Sequence, residues 1–203
     1  MDEDNPQHIF VGISVAGVFE TTDGGVTWNP RNKGLKADFL PDPSIEIGQD
    51  PHLVVKCPAH PEVMWQQNHC GIYRTSNGGE KWEDISETKG PANFGFAIQA
   101  HKSDPNVAWV VPGISDEIRV AVDQSLVVCR TDDGGKSWKQ QRNGLPQSNC
   151  YDIVYRHALD LTGDTLAFGT TTGNLYLSDN EGDKWSCLNS NLPMIHSVEF
   201  VMA

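Results

Sequence analysis

Positive charge is scarce in this chain: 15 lysines and arginines stand against 27 aspartates and glutamates, a formal charge of −12. That surplus repels phosphate backbones and anionic headgroups, so nucleic acid is excluded as an expected partner. Long apolar runs are missing as well. None approaches the roughly 20 residues that cross a bilayer as a helix, so no membrane insertion is expected. The opening Met1-Asp2-Glu3-Asp4 is acidic, the reverse of a secretory signal, which makes a cytoplasmic location the expectation. The cysteines, at 57, 70, 129, 150 and 187, are odd in number and not closely paired, so no disulfide framework is expected. No stretch longer than a few residues keeps a helical period either. What the chain does have is glycine (19) and proline (12), the residues of frequent turns. Its 203 residues suit one domain.

A repeat organises those turns. Residues 21–28 (TTDGGVTW), 75–82 (TSNGGEKW), 131–138 (TDDGGKSW) and 178–185 (SDNEGDKW) share one pattern: a hydroxyl residue, then Asp or Asn, then Gly, then Trp. The tryptophans, Trp28, Trp82, Trp138 and Trp185, lie 54, 56 and 47 residues apart. Before each box stands a short alternating run, at 17–20, 71–74, 126–130 and 174–177. Such alternation, rich in β-branched and aromatic residues, predicts strands. Second strands are predicted at 7–13, 63–66, 107–111 and 165–169, and third strands at 52–56, 96–100 and 151–155. Four strands in about 50 residues is the size of one propeller blade. The fold expected is all-β: a propeller, or an arc of one, with four four-stranded blades at about 7–40, 52–90, 96–145 and 151–192.

Within the boxes, Asp23, Asn77, Asp133 and Asn180 can accept backbone N–H groups of their own hairpins, and Thr21, Thr75, Thr131 and Ser178 can cap the same turns. Gly25, Gly79, Gly135 and Gly182 take backbone angles closed to other residues. Each Trp is expected to bury its ring between neighbouring blades. A calcium loop is not expected, because the oxygen ligands are too few and no Glu closes the loop. The boxes resemble the Asp-box, or BNR, repeat of sialidases, sortilin-type receptors, xyloglucan-active hydrolases and photosystem II assembly factors. Residues 17–28, 31–34 (RNKG), 37–43 (ADFLPDP), 67–71 (QNHCG) and 115–117 (SDE) are similar to the C-terminal portion of bacterial BNR-repeat proteins described as glycosyl hydrolase or exo-sialidase-like. That resemblance implies a propeller scaffold and says little of chemistry.

Sialidases of that kind carry an arginine triad, an early Arg-Ile-Pro, a Tyr–Glu nucleophile pair and an Asp acid/base. Of the six arginines here, Arg74 and Arg130 precede a box and Arg31 and Arg142 follow one, leaving Arg119 and Arg156 free. No Arg-Ile-Pro is present and no triad can be assembled. Glycoside hydrolysis needs two carboxylates at a set separation, for which Glu46, Asp50, Asp116, Glu117 and Asp152 are candidates outside the turns.

The densest polar stretch is 66–71 (QQNHCG), with more hydrogen-bonding capacity than a hairpin needs. Loops at one end of a propeller's inner strands converge on its axis. His52, Gln67, Asn68, His69, His101, Asp116 and Arg119 are therefore the candidate axial ligand-binding residues. No metal site is expected, because the spacing of Cys57, His60, His69 and Cys70 matches no common zinc site. No cofactor is expected, and no Gly-rich phosphate loop leads into a helix. The reading is a binding or interaction scaffold whose partner is a carbohydrate or a protein. The alternatives are a glycoside hydrolase working through axial Asp or Glu, and an assembly-factor-like interaction protein.

The first repeat lacks its innermost strand, and 196–202 is a strand with no box behind it. Either that strand completes the first blade and closes a ring, or the four blades form an open arc whose ends a dimer would pair.

Overall fold

The computed structural model describes residues 5–201. It is all-β, apart from one 3₁₀ turn at Val122–Gln124. The first sheet has three strands, β1 (Ile9–Ile13), β2 (Gly17–Thr21) and β3 (Asn29–Pro30). The second holds β4 (Pro51–Cys57), β5 (His60–Asn68), β6 (Gly71–Thr75) and β7 (Glu83–Asp84). The third holds β8 (Gly95–Ala100), β9 (Ala108–Pro112), β10 (Val128–Thr131) and β11 (Lys139–Gln141). The fourth holds β12 (Leu159–Thr162), β13 (Thr165–Gly169), β14 (Leu175–Ser178) and β15 (Ser186–Asn189). Every sheet is an antiparallel meander in chain order.

Period-2 alternation explains how the sheets stack. In β6, Ile72 points into a core shared with the third sheet, while its neighbour Tyr73 points into a core shared with the first. In β5, Trp65 and Met64 divide in the same way. In β9, Val110 faces the second sheet while Trp109 and Val111 face the fourth. The middle strands are therefore apolar on both faces. Three cores result, one at each junction between successive sheets. Among the described residues, no apolar cluster joins the fourth sheet to the first, and the sheets form an open arc.

The boxes close their hairpins in one manner. The Thr or Ser hydroxyl accepts the N–H of the second glycine position at 2.9–3.2 Å and donates to the Asp or Asn two residues on. That Asp or Asn accepts the N–H four residues ahead, at 2.9–3.1 Å. Two boxes carry Asp, and their carboxyls ionise unusually easily. The Ser137 hydroxyl and amide hold Asp133 down at about 2, against an ordinary 3.8. A carboxyl lowered in the folded state stabilises above its unfolded value, and that contribution is lost as pH falls from about 4 towards 2. Asp133→Asn is therefore expected to flatten the fall of melting temperature across that interval, read by circular dichroism. An unchanged acid slope would refute it. Asn is a sound replacement, since Asn77 and Asn180 already hold the same turn.

Three expectations need correction. Residues 151–155 are not a strand. Asp152 is buried and accepts from Thr172 and Asn174, and Ile153 N–H bonds the Thr171 hydroxyl, so this stretch is tied to the β13–β14 hairpin and the inner strand starts later, at Leu159. The last strand does not lie beside Ile9–Ile13. Ser197 instead bridges in parallel to His157, Val198 N–H bonds the His157 carbonyl at 2.8 Å, and Phe200 N–H bonds Asp160, so the tail runs along the free edge of β12. Met202, expected in that strand, lies outside the described residues. Third, Trp28 is 41% exposed, whereas Trp82, Trp138 and Trp185 are at 1, 8 and 2%. Each buried box Trp packs on the sheet before its own, and among the described residues no sheet covers Trp28.

Candidate functional site

The inner strands β4 and β8 run in the same sense, so the residues that open them meet at one end of the axis. His52 is the second residue of β4 and Phe96 the second of β8. The two rings stack at 4.6 Å with 24° between planes. His52 Nδ1 lies 2.6 Å from the Gly95 carbonyl, which makes Nδ1 the protonated nitrogen and leaves a lone pair on Nε2. Burial pushes the His52 pKa below its ordinary 6.5, and nearby Arg156 adds to the effect against the Gly95 bond.

The loop between β5 and β6 brings in His69. Its N–H bonds the Asp50 carbonyl at 3.0 Å, and its Nδ1 lies 3.6 Å from Asp50 Oδ2. Asp50 also accepts from the Ser14 hydroxyl at 2.7 Å and the Val15 N–H at 3.3 Å. Val15 sits at φ 58°, a costly conformation for a β-branched residue, at the rim of this site. Phe39 and Phe94 pack edge-on against His69.

Two guanidiniums complete the cluster. Arg119 and Arg156 lie over the Phe96 ring, 5.4 and 5.1 Å from its centroid. Arg119 is paired with Asp116. Among the described residues the Arg156 guanidinium has no hydrogen-bond or ion-pair partner. Tyr155 meets Phe96 at 5.7 Å and stacks on His196 of the tail, 5.9 Å away and nearly parallel. A cavity of about 580 Å³ opens beside this cluster, between β1, β4 and the Arg156–His157 segment, and His52, Ser14 and Arg156 are in its wall.

Of the residues singled out from sequence, His52, His69 and Arg119 are gathered here, with Asp116 holding Arg119. Gln67 and Asn68 are wholly buried and serve the loop instead. Gln67 Nε2 donates to the Gly71 and Asn93 carbonyls, and Asn68 bonds Gln66 and the Cys70 N–H. His101 lies at the far end of β8, where its Nδ1 accepts the Ser103 and Asp104 N–H groups and its Nε2 is 3.9 Å from Glu181. Of the candidate carboxylates, Asp50 belongs to the cluster and Asp116 reaches it through Arg119, whereas Asp152 is held by Thr172 and Asn174 and Glu46 lines a separate cavity with Arg31 and Lys33. Phe39, Phe94, Phe96 and Tyr155 were not anticipated. The available signal was repeat phase, because Phe96 occupies in β8 the place that His52 occupies in β4.

Among the described residues, Asp50, His52 and His69 could hold a metal ion, each offering one ligand atom within 4.8 Å of the others. The charges around them do not favour it. Two guanidiniums lie beside the same ring that His52 stacks on, and like charges at such range oppose a dication.

No protein-family model matches the chain, and no curated protein matches it. Solved structures do resemble it. An ancestral GH74 enzyme superposes with a TM-score of 0.63 at 18% identity, over 92% of this chain and 23% of its own. The GH74 xyloglucanase of Xanthomonas campestris gives 0.62 at 14% identity, over 94% of this chain and 29% of its own. YCF48 bound to a D1 peptide gives 0.48 at 18% identity, over 91% and 65%. The chain thus spans under a third of the length of the GH74 enzymes. What the likeness establishes is architecture: the four sheets are blades of a β-propeller.

Proposed function

We propose that this chain is a binding scaffold whose axial site takes a carboxylate-bearing saccharide. The observation that carries the proposal is Arg156, a half-buried guanidinium over Phe96 with no hydrogen-bond or ion-pair partner among the described residues, in the wall of the cavity. A planar, permanently charged fork left unpaired beside aromatic rings suits a carboxylate, which it grips through two parallel hydrogen bonds. His52 adds a ring nitrogen to the same wall, where the Phe10 ring suits the apolar face of a sugar.

Binding is favoured over hydrolysis because the candidate carboxylates beside the cluster are already engaged, Asp50 by the Ser14 hydroxyl and the Val15 N–H and Asp116 by Arg119. A glycosidase needs one carboxyl free as an acid and a second beside it.

Isothermal titration with trigalacturonate, beside a neutral xyloglucan oligosaccharide, tests the proposal. Binding of the acidic probe alone is expected. Arg156→Ala should weaken it at least tenfold, since a charge-assisted bond contributes about 1.5–3 kcal/mol. Equal binding of the neutral probe, indifference to Arg156→Ala, no binding at all, or release of reducing ends would each overturn it.

A further inference from the structure

The chain builds one kind of junction three times, and at its two ends it carries the separate halves of a fourth. In the first two junctions the box indole donates to the carbonyl three residues past the preceding box Trp: Trp82 Nε1 to Arg31 at 2.8 Å, and Trp138 Nε1 to Ile85 at 2.9 Å. The side chain at that position lies against the second glycine position of the incoming box. This pairs Arg31 with Gly79, Ile85 with Gly135 and Gln141 with Gly182. Where a leucine follows seven residues past the Trp, the incoming sheet covers it: Leu35 is 3% exposed and Leu145 is 6%. The third junction keeps the buried ring, with Trp185 in the core shared with the third sheet and its backbone N–H bonded to the Asn143 carbonyl at 2.9 Å, although its Nε1 has no partner.

The first sheet presents the incoming half with nothing to receive it. Trp28 is 41% exposed, and beside it lie Gly25 and an exposed Val26. The fourth sheet presents the receiving half uncovered. Leu188, three residues past Trp185, is 57% exposed, and Leu192, seven past it, is 39%. Leu188 also stands at the bulge where the β14–β15 register shifts. Position six past the Trp is Gly34 or Gly144 in two junctions but Thr88 in the second, so Asn191 there is no obstacle.

We infer that these faces dock head to tail between two copies of this chain, Trp28 of one copy on Leu188 of the other, with the indole N–H donating to the Leu188 carbonyl. Two arcs related by a two-fold axis then make two such junctions and close on each other. The occupant is a second copy because both halves of the contact are on this chain and match the junctions inside it. The inference does not depend on what the axial site binds.

Sedimentation equilibrium of the 203-residue chain from 5 to 100 µM, in 0.5 M NaCl to screen the charge of −12, tests it. The expected mass is twice the 22.4 kDa of one chain. Trp28→Glu and Leu188→Glu both alter residues exposed in the single chain, so each variant should keep the melting temperature of the dilute monomer while its dimer dissociation constant rises at least tenfold. An equimolar mixture of the two should regain dimers at 100 µM, because one junction then pairs an intact Trp28 with an intact Leu188. A monomer throughout would leave the faces to other blades or other proteins and would overturn the inference. So would a dimer that survives both substitutions, one sensitive to a single substitution, or a mixture that stays monomeric.

Discussion

Replacing Trp82 by alanine is expected to lower the melting temperature by about 10 °C, while the same change at Trp28, compared in the dilute monomeric chain, leaves it nearly where it was. A buried tryptophan truncated to alanine typically costs about 3–5 kcal/mol. In a chain of this size each kcal/mol shifts the midpoint by roughly 2–4 °C. Trp82 is 1% exposed and closes the core formed with Leu35, Met64 and Tyr73, and it donates to the Arg31 carbonyl of the neighbouring sheet. Its loss opens a cavity and orphans that carbonyl at one junction only. Hydrogen exchange should therefore quicken first in β1–β3, which touch the rest of the arc through that core. Trp28 has the same sequence context but no sheet against it, and an exposed ring has little packing to lose. Equal losses at the two positions, read by calorimetry, would contradict the assignment of the junctions.

Gly144→Ala is the second large effect, at about 3 kcal/mol in urea unfolding. Gly144 sits at φ +86°, and a Cβ there would run into the Trp185 carbonyl. A non-glycine residue held at such an angle costs on the order of 1–3 kcal/mol by itself. The obstacle here is backbone, which cannot swing aside as a side chain can. Gly163 is the control, since it also has positive φ, +54°, but no atom lies within 4 Å of its Cβ position. Gly163→Ala should then cost only the conformational part, about 1 kcal/mol. If the two substitutions cost the same, the close approach of Gly144 to Trp185 is not what the glycine is for.

The repeat was legible because its residues answer to backbone geometry. Gly25, Gly79, Gly135 and Gly182 of the boxes hold φ between +84° and +96°, and no other residue does that cheaply. The β12 strand was missed because residues 151–155 alternate as well as 159–162 do, and only the hydrogen bonds of Asp152 and Ile153 with the β13–β14 hairpin decide between them. At the site, His52, His69, Arg119 and Arg156 stood out as polar residues without a turn to serve. Phe96 did not, because an apolar residue on a buried strand reads as core whatever it faces. His101 failed for a reason of direction. It follows β8 while Gly95 opens it, and six residues of strand separate the two ends by about 20 Å. A sequence window shows nearness to a strand but not which end of it reaches the axis.

The boxes lie in the hairpins between the last two strands of each sheet, whereas His52 and Phe96 stand where inner strands begin. Copying one whole unit would therefore reproduce every contact needed for stacking and add one more axial position. The three units with an inner strand already differ at that place while the boxes stay alike. Ancestry by duplication could then lengthen the molecule without altering its chemistry, and later point changes at strand openings could alter the chemistry without loosening the stack.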